Sequence, residues 1–259
     1  IPVLAKTTSD KRILKRCLES IKTHEPQMLP HLLIIEEQIS EQIDFYKDYG
    51  VRVIRKKGPC GYATSINKGL ELAKKVGYTH VITVNSDIEF TQPFLVPFVR
   101  AFNYGDIVGG TLLYPSGKIQ SAGWYYRDDG MPIEYEKGQY LNQAKEYKKE
   151  RFVGGITGAL QGINLECGLY DEGYPLSYED VDFCVRNILL GRKIFYTPTI
   201  CAIHFESATR GYTVGPMELH SFKRYDKKIG KISMSALNGR IAEYNETHEL
   251  ERQGKTKER

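Results

Sequence analysis

Much of what would classify this chain quickly is missing from it. No apolar run approaches the roughly 20 residues of a membrane span, and no secretory signal is visible at the start. Neither GxGxxG after the first apolar stretch nor GxxxxGK followed by Ser or Thr is present. The sequence therefore disfavours a dinucleotide-dependent dehydrogenase and a P-loop phosphotransferase. Because Ile1 already lies within an apolar stretch, the missing signal excludes little.

Cysteine is scarce and shows no pairing pattern. The five cysteines include no CxxC spacing, and most have apolar neighbours: Cys17, Cys60, Cys167, Cys184 and Cys201. An odd number without such spacing argues against a disulfide framework and against a zinc site. We therefore expect small buried thiols in a reducing compartment, the cytoplasm.

The net charge of +4 comes entirely from the end of the chain. Residues 220–259 carry ten Lys or Arg against six Asp or Glu, whereas the first 219 residues carry 26 of each. A nucleic-acid-binding body would carry its basic residues on the folded surface, so we expect no nucleic-acid partner. The basic residues 223–231, beside Phe222 and Ile229, are compatible with two arrangements. They hold the protein at an anionic membrane surface, or they form a solvated helix packed on the domain.

Short apolar strands alternate with amphipathic helices in the first half of the chain. Strands are predicted at residues 1–6, 31–35, 51–54 and 79–84, with one helix capped by Ser9 and a second capped by Thr64 or Ser65. This β-α-β-β-α-β order predicts a mostly parallel sheet covered on both faces. Ligands bind such sheets at the carboxyl ends of the strands.

The second half has a different pattern. A hairpin is predicted around the turn at residues 114–117, and residues 124–151 read as a long functional loop. A helix over residues 178–190 ends at Gly191, and two short strands follow at 194–196 and 199–203. A basic helix at 217–232 and a frayed polar end complete the chain. We therefore expect a main domain, 1–211, and a basic C-terminal helical extension, 212–259.

Three segments place polar side chains directly after predicted strands or at a helix start. Asp87 follows one strand, Glu179 and Asp180 open a helix, and His204 follows another strand ahead of Arg210. A divalent ion takes oxygen or imidazole ligands, a diphosphate adds a guanidinium, and a spare carboxylate serves as a general base. Each residue also has a structural explanation. Asp87 suits a turn, the acidic pair suits a helix N-terminus, and a strand-end His is often structural.

These segments also carry a family resemblance. Together with GYATSINKGLELA (61–73), VGGTLLYPSGKIQSAG (108–123) and GGITGALQGINLECGLYDEGYP (154–175), they occur in an order that resembles the inverting, nucleotide-sugar-dependent glycosyltransferases of family 2, particularly rhamnosyltransferase-like members. The resemblance spans roughly residues 2 to 211. It implies the α/β GT-A fold, in which a Rossmann-like, mostly parallel central sheet is flanked by helices and joined by a small antiparallel acceptor-side portion.

The resemblance implies roles for individual residues. Asp87 and His204 would hold Mn²⁺ or Mg²⁺ on the donor diphosphate, and Asp180 would be the general base. Asn85 stands at the first position of the Asp-x-Asp-like motif, where its uncharged amide suits a ribose or diphosphate hydrogen bond better than metal ligation. The implied contacts to the nucleotide sugar are Thr7, Thr8, Glu36 (with Glu37 as its competitor), Asn67, Asn85, Ser86, Glu179 and Arg210. Helix capping is the alternative for Thr7 and Thr8.

The acceptor side is predicted from aromatic and small residues. Trp124 and Tyr125 open the predicted loop, and aromatic faces suit the apolar faces of sugar rings. Residues 154–162 form either the floor of this side or a tightly packed strand. The expected partners are a nucleoside-diphosphate sugar and a glycan or lipid-linked acceptor, with peripheral membrane association through the basic extension.

Three functional hypotheses are weighed on these residues. The leading hypothesis is a metal-dependent inverting glycosyltransferase. A non-catalytic sugar-nucleotide or glycan-binding module is suggested by Asn85 and the aromatic loop, but such a module needs no base. A sugar nucleotidylyltransferase is disfavoured because its Gly-rich, Arg-containing loop after the first strand is absent.

Overall fold

The computed structural model describes residues 1–3, 7–37, 43–57, 61–205 and 215–252. Its helices are α1 (Thr8–His24), α2 (Tyr62–Lys75), α3 (Leu95–Ala101), α4 (Glu179–Leu189), α5 (Pro216–Ile229) and α6 (Met234–Arg252). Its strands are β1 (Pro2–Val3), β2 (Leu33–Glu36), β3 (Arg52–Arg55), β4 (His80–Val84), β5 (Ile88–Phe90), β6 (Ile107–Leu113), β7 (Ile119–Ser121), β8 (Trp124–Tyr126), β9 (Pro132–Glu134), β10 (Arg151–Phe152), β11 (Leu160–Asn164) and β12 (Ile194–His204).

The first half has the predicted order of elements. Strands β1, β2 and β3 pair in parallel in that order. Helix α1 is capped by Thr7, whose hydroxyl accepts the Asp10 N–H while the Asp10 carboxylate accepts the Thr7 N–H. The predicted cap, Ser9, therefore lies inside the helix. The second predicted cap is also wrong, because α2 begins at Tyr62 after Gly61.

The second sheet mixes parallel and antiparallel pairs. Its strands run in the order β10-β12-β6-β11-β4, with β5 on β12 and β7 on β6. Strands β6 and β12 are parallel, and the other described pairings are antiparallel. The α/β class is confirmed, and the antiparallel portion is larger than predicted. The reason is that β11 inserts between β4 and β6, a long-range pairing that no local pattern reveals.

Strand β12 is one long strand where two short ones were predicted. Its pairing with β6 shifts register between Tyr196 and Cys201. At this irregularity, a Cβ on Gly110 would lie 2.0 Å from the carbonyl oxygen of Ile200. A residue without a side chain is therefore required for β6 to approach β12 so closely.

Two predictions for the later part of the chain are wrong. Residues 124–151 hold the β8–β9 hairpin and a 3₁₀ turn at Glu146–Lys148 instead of one long loop, since three-residue strands are too short to show periodicity. Residues 234–252 of the polar end form α6 rather than a frayed tail, because Leu237 and Ile241 are buried in the main core, and residues 253–259 lie outside the described residues. In the part of the chain that is described, no helix has the length and apolarity needed to cross a membrane.

Candidate active site

Asp87 lies where β4 turns back into β5. The Asn85 N–H donates to the Ala159 carbonyl at 2.8 Å, which ties the turn to the residue before β11. The Phe205 N–H donates to the Asp87 carbonyl at 3.0 Å, which brings the end of β12 to the same point. The Asp87 side chain is consequently 12% exposed.

His204, the last residue of β12, faces Asp87. Its Nε2 lies 3.2 Å from Asp87 Oδ1, and its Nδ1 lies 2.6 Å from Gln120 Oε1. Both the histidine and the glutamine are buried. A carboxamide oxygen can only accept a hydrogen bond, so it matches a proton on Nδ1 and leaves Nε2 directed at the carboxylate.

The Asp87–His204 pair fits a divalent ion that is shared with a diphosphate. Two ligands at about 2.1 Å from one octahedral ion lie about 3 Å apart, close to the separation observed here. No cluster of three or more His, Cys, Asp or Glu side chains suited to a metal occurs within the described ranges. Mg²⁺-like ions in phosphate sites use one or two protein ligands plus substrate oxygens, so a pair is a sufficient protein donor set.

Asp180 is held at the start of α4 by backbone donors. Its Oδ2 accepts the Gly158 N–H and its Oδ1 accepts the Val181 N–H, each at 2.9 Å. Desolvation by burial raises the pKa of Asp180, while these hydrogen bonds oppose the rise. The residues before the helix, Ser177 and Tyr178, both have φ of 65°. Left-handed backbone at two consecutive non-glycine residues is strain of the kind found near functional sites.

Two residues beside Asp180 were missed by sequence reasoning. Tyr62, at the start of α2, donates its hydroxyl hydrogen bond to the Gly158 carbonyl. Its pKa is raised well above the usual value by burial, and the charges of Glu179 and Asp180 add to that rise. Tyr62 lies within the stretch 61–73 that resembles the family, at a helix start, and this position was the signal that the sequence offered.

Glu134, on β9, is the second missed residue. Burial raises the pKa of Glu134 to about 8. The hydrogen bond from Ser121 lowers this pKa, and the negative charge of Asp180 raises it further. The Ser121 hydroxyl donates to Glu134 Oε2 at 2.8 Å. Glu134 is therefore protonated near neutral pH and lies within the electrostatic reach of the proposed base. No local signal marked it, because it lies in the stretch predicted to be a loop.

Two short segments connect the Asp87–His204 pair to the carboxyl groups of Asp180 and Glu134. Ala159, which holds Asn85, directly follows Gly158, which holds Asp180. Gln120, which contacts His204, directly precedes Ser121, which contacts Glu134. The structure thus gathers into one site the side chains that the sequence had placed on separate segments.

Several residues predicted to bind the nucleotide sugar have structural partners. Thr7 is the α1 cap. Asn67 uses Oδ1 for the Tyr170 N–H and Nδ2 for the Tyr170 carbonyl and Glu172, so its contacts tie α2 to the segment before α4 and argue against the predicted role. Glu36 is 1% exposed and its Oε2 lies 2.9 Å from Arg55 Nε. The competing candidate, Glu37, accepts the Gly61 N–H at 3.0 Å and holds the start of α2.

The other predicted donor-side residues differ in exposure. Asn85 and Ser86 are half-buried, and the buried Asn85 Oδ1 has no hydrogen-bond partner among the described residues. Thr8 is exposed, and Glu179 is buried at the first turn of α4. Arg210 lies outside the described residues.

The two predicted acceptor residues differ in exposure. Trp124 is 3% exposed, and its ring lies so close to Gly155 that a Cβ there would be 2.2 Å from it. Tyr125 is 42% exposed and its ring centroid is 5.2 Å from that of Tyr135. Of the two, Tyr125 has the face that is open to solvent.

Comparison with known proteins gives a family match. Residues 9–161 match the sequence model described as "Glycosyl transferase family 2". A curated relative is the uncharacterized protein y4gI of Sinorhizobium fredii (strain NBRC 101917 / NGR234), which is 28% identical over 189 residues. That alignment covers 68% of this chain and 20% of the relative, so the chain spans only about a fifth of that protein.

Solved structures of similar fold include two larger proteins. The crystal structure of GalNAc-T7 with UDP, GalNAc and Mn²⁺ aligns with a TM-score of 0.62 and 15% identity, over 84% of this chain and 46% of that one. The structure of S. aureus TarS aligns with a TM-score of 0.58 and 12% identity, over 94% of this chain and 42% of that one. The chain therefore has the GT-A fold that was predicted.

Proposed function

This chain belongs to glycosyl transferase family 2, and on that premise we propose that it is a metal-dependent inverting glycosyltransferase. It transfers a hexosyl or deoxyhexosyl group, with rhamnosyl as one candidate, from a nucleoside-diphosphate sugar to a hydroxyl of a glycan or glycolipid. The observation that carries the proposal is the 3.2 Å pair of Asp87 Oδ1 and His204 Nε2, tied through Asn85, Ala159 and Gly158 to the half-buried Asp180 and its carboxylate.

Asp87 and His204 are the residues that would hold Mn²⁺ or Mg²⁺ on the donor. When bound, the ion neutralises the charge that develops on the departing diphosphate. The GalNAc-T7 structure, which contains UDP and Mn²⁺, supports this choice of ligand and ion by analogy of fold. Asn85 Oδ1, Ser86, Thr8, Glu36, Glu179 and Arg210 are the proposed donor-side contacts, with the Asn85 amide directed at ribose or diphosphate.

Asp180 is the proposed general base. As the acceptor hydroxyl oxygen attacks the anomeric carbon, its proton passes to the Asp180 carboxylate and the bond from the anomeric carbon to the diphosphate breaks. A single displacement of this kind inverts the anomeric configuration. The raised pKa of Asp180 makes it a stronger base than an ordinary aspartate, and the Gly158 and Val181 N–H groups fix the direction of its carboxylate.

Glu134 and Tyr125 are the proposed acceptor contacts. A Glu134 that is protonated near neutral pH can donate a hydrogen bond to a sugar hydroxyl, a role that an ionised carboxylate lacks. Tyr125 offers an exposed aromatic face. Trp124, buried beneath the 154–155 segment, shapes this side through packing.

The experiment that tests the function is a donor screen. UDP-, GDP-, dTDP- and CMP-sugars are incubated with and without Mn²⁺, and release of the nucleotide is measured for the parent and for Asp180→Asn and Asp87→Ala. We expect one donor class to be hydrolysed slowly in a Mn²⁺-dependent way, and we expect both variants to lose this hydrolysis.

The second candidate, a non-catalytic binding module, rests on Asn85 at a position where an acidic residue is usual in the family. Tight UDP or GDP binding without hydrolysis or transfer of any donor would favour it.

Helix α5 carries a surface suited to an anionic membrane. His220, Lys223, Lys227 and Lys231 are exposed and, with Arg224 and Lys228, line a furrow of about 370 Å³. Met217, Leu219 and Phe222 on the same helix are 58%, 48% and 36% exposed. Basic side chains beside exposed apolar ones are typical of helices that lie in a membrane interface.

The opposite face of α5 is structural. Ser221, Tyr225 and Ile229 are buried, so Ile229 is not available to a membrane as the sequence had suggested. Arg224 and Lys228 are held by Asp171, at 2.7 and 2.6 Å. We assign membrane contact to the exposed lysine face alone, as the route to a lipid-linked acceptor.

Liposome co-sedimentation tests this assignment. We expect retention on phosphatidylglycerol vesicles at low salt, release at high salt, and loss in the Lys223→Gln, Lys227→Gln, Lys231→Gln triple variant. A matched triple variant at the exposed Lys68, Lys75 and Lys145 carries the same charge and should be retained. The assignment is wrong if the vesicles retain both triple variants equally, or if they do not retain the parent protein.

A further inference from the structure

Gln120 occupies an irregular position in its strand. In the pairing of β7 with β6, Ser121 is opposite Leu112 and Ile119 is opposite Leu113, which leaves Gln120 as an extra residue. This is the geometry of a β-bulge, which redirects a side chain and is frequent beside active sites. The redirected carboxamide is buried and its oxygen lies 2.6 Å from His204 Nδ1.

The contact decides which nitrogen of His204 is available to a ligand. Because Gln120 Oε1 accepts and does not donate, it favours the tautomer with hydrogen on Nδ1. Nε2, which lies 3.2 Å from Asp87 Oδ1, then carries the lone pair that a metal ion needs. Without an acceptor at Nδ1, the favoured arrangement places the hydrogen on Nε2, where it bonds to the Asp87 carboxylate. That arrangement removes both atoms from metal binding.

We infer that Gln120 is a positioning residue that sets the His204 tautomer and so presents Nε2 and Asp87 together to a divalent ion. This inference rests on the proposed function, because it concerns the same metal pair. Partners of a ligating histidine's second nitrogen typically change metal affinity by about 10- to 100-fold when they are removed. The bulge explains why a glutamine in the middle of a three-residue strand reaches the site at all.

The variants that test it differ in what they offer to His204. Gln120→Leu removes the acceptor at similar volume, and Gln120→Glu keeps an acceptor at the same reach. Gln143→Leu, at an exposed glutamine, is the matched control. Mn²⁺ affinity is measured with saturating UDP by EPR of the free ion. We expect Gln120→Leu to bind Mn²⁺ about 10-fold or more weakly than the parent. Gln120→Glu and the control should bind Mn²⁺ at least as tightly as the parent.

A spectroscopic readout reports the tautomer directly. In the Co²⁺–UDP form, proton NMR should show one hyperfine-shifted, solvent-exchangeable resonance from His204 Nδ1–H, absent in His204→Ala. It should persist in Gln120→Glu and be lost or broadened by exchange in Gln120→Leu. Thermal unfolding without metal confirms that each variant is folded, and an unfolded Gln120→Leu is replaced by Gln120→Met.

The outcomes separate the inference from the function it rests on. A parent that binds neither Mn²⁺ nor Co²⁺ with any of UDP, GDP or dTDP overturns both. A parent that binds, with a folded Gln120→Leu or Gln120→Met within about twofold of it and an unchanged N–H resonance, overturns only the role of Gln120. If Gln120→Glu also loses Mn²⁺ affinity, the glutamine contributes through packing rather than as an acceptor. That result also overturns the inference.

Discussion

The Asp180 carboxylate accepts the backbone N–H of Gly158 at 2.9 Å, across 22 residues of sequence. Gly158 directly precedes Ala159, whose carbonyl accepts the Asn85 N–H. One segment therefore sets the position of the proposed base relative to the turn that carries Asp87. Asp87 itself contacts His204 and the Phe205 N–H rather than this segment, so changes at Asp180 can be separated from changes at Asp87.

Replacing Asp180 by Asn removes basicity with little change in volume. We expect transfer to fall by about 10² to 10⁴, with nucleotide affinity nearly unchanged in calorimetry. Asp182→Asn is the control on the same helix, since Asp182 binds Arg186 and Lys228 at 2.8 Å and should lose stability rather than turnover per folded molecule. Transfer by Asp180→Asn within a few-fold of the parent would move the role of base elsewhere.

The raised pKa of Asp180 predicts the pH profile of transfer. A base is lost when it is protonated, so the rate should fall as the pH drops through the Asp180 pKa, at a higher pH than for an ordinary aspartate. The check is kcat/KM measured across the acidic range for the parent and for the residual activity of Asp180→Asn. The same acidic limb in both proteins would assign it to another group.

Asp87 is the carboxylate expected to matter for the donor. Asp87→Ala should lose most of the UDP or GDP affinity that Mn²⁺ confers, because His204 alone is a single neutral ligand. Calorimetry with Mn²⁺ and with EDTA measures the difference, and Asp128→Ala, at an exposed aspartate, is the control. Metal-independent affinity in the parent, or full affinity in Asp87→Ala, contradicts the proposal.

Glu134 should make stability depend on pH. Its folded pKa of about 8 lies above the unfolded value, so the folded protein binds the extra proton between those values. The stabilising contribution is present at acidic pH and is lost as the pH rises through about 8. Urea unfolding at pH 5.5, 7 and 8.5 should show a fall that Glu134→Gln reduces and that Glu166→Gln, at an exposed glutamate, leaves in place. An unaltered slope in Glu134→Gln counts against the shifted pKa.

Two glycines are expected to respond oppositely to alanine. Gly110→Ala places a Cβ 2.0 Å from the Ile200 carbonyl oxygen, so β6 and β12 must separate and the free energy of unfolding should fall by several kcal/mol, roughly the cost of core overpacking or more. Gly69→Ala lies in α2 with nothing within 4 Å of the new Cβ and should stabilise by about 0.5–1 kcal/mol. Chemical denaturation compares them. A Gly110→Ala protein as stable as the parent would mean that the two strands separate at little cost.

The chain alone determined the order of the main elements in its first half and the chemistry at the ends of three segments. Hydrophobic periodicity is local, so it identified β4 before Asp87, α4 from Glu179 and the strand that ends at His204. The family-like order of those segments predicted the fold, which is confirmed. The roles of these residues stay predictions, to be decided by the measurements above.

The tertiary structure decided which side chains meet. Gln120 and His204 are 84 residues apart, and the bulge that joins them depends on the pairing of β7 with β6. Glu134 reaches the site through a hairpin too short to have a pattern, while Asn67 and Ile229 are committed to internal contacts. Burial, strand register and the direction of a side chain are properties of distant segments packed together. A local pattern of residue types therefore locates the carboxylates and the histidine but leaves their neighbours undetermined.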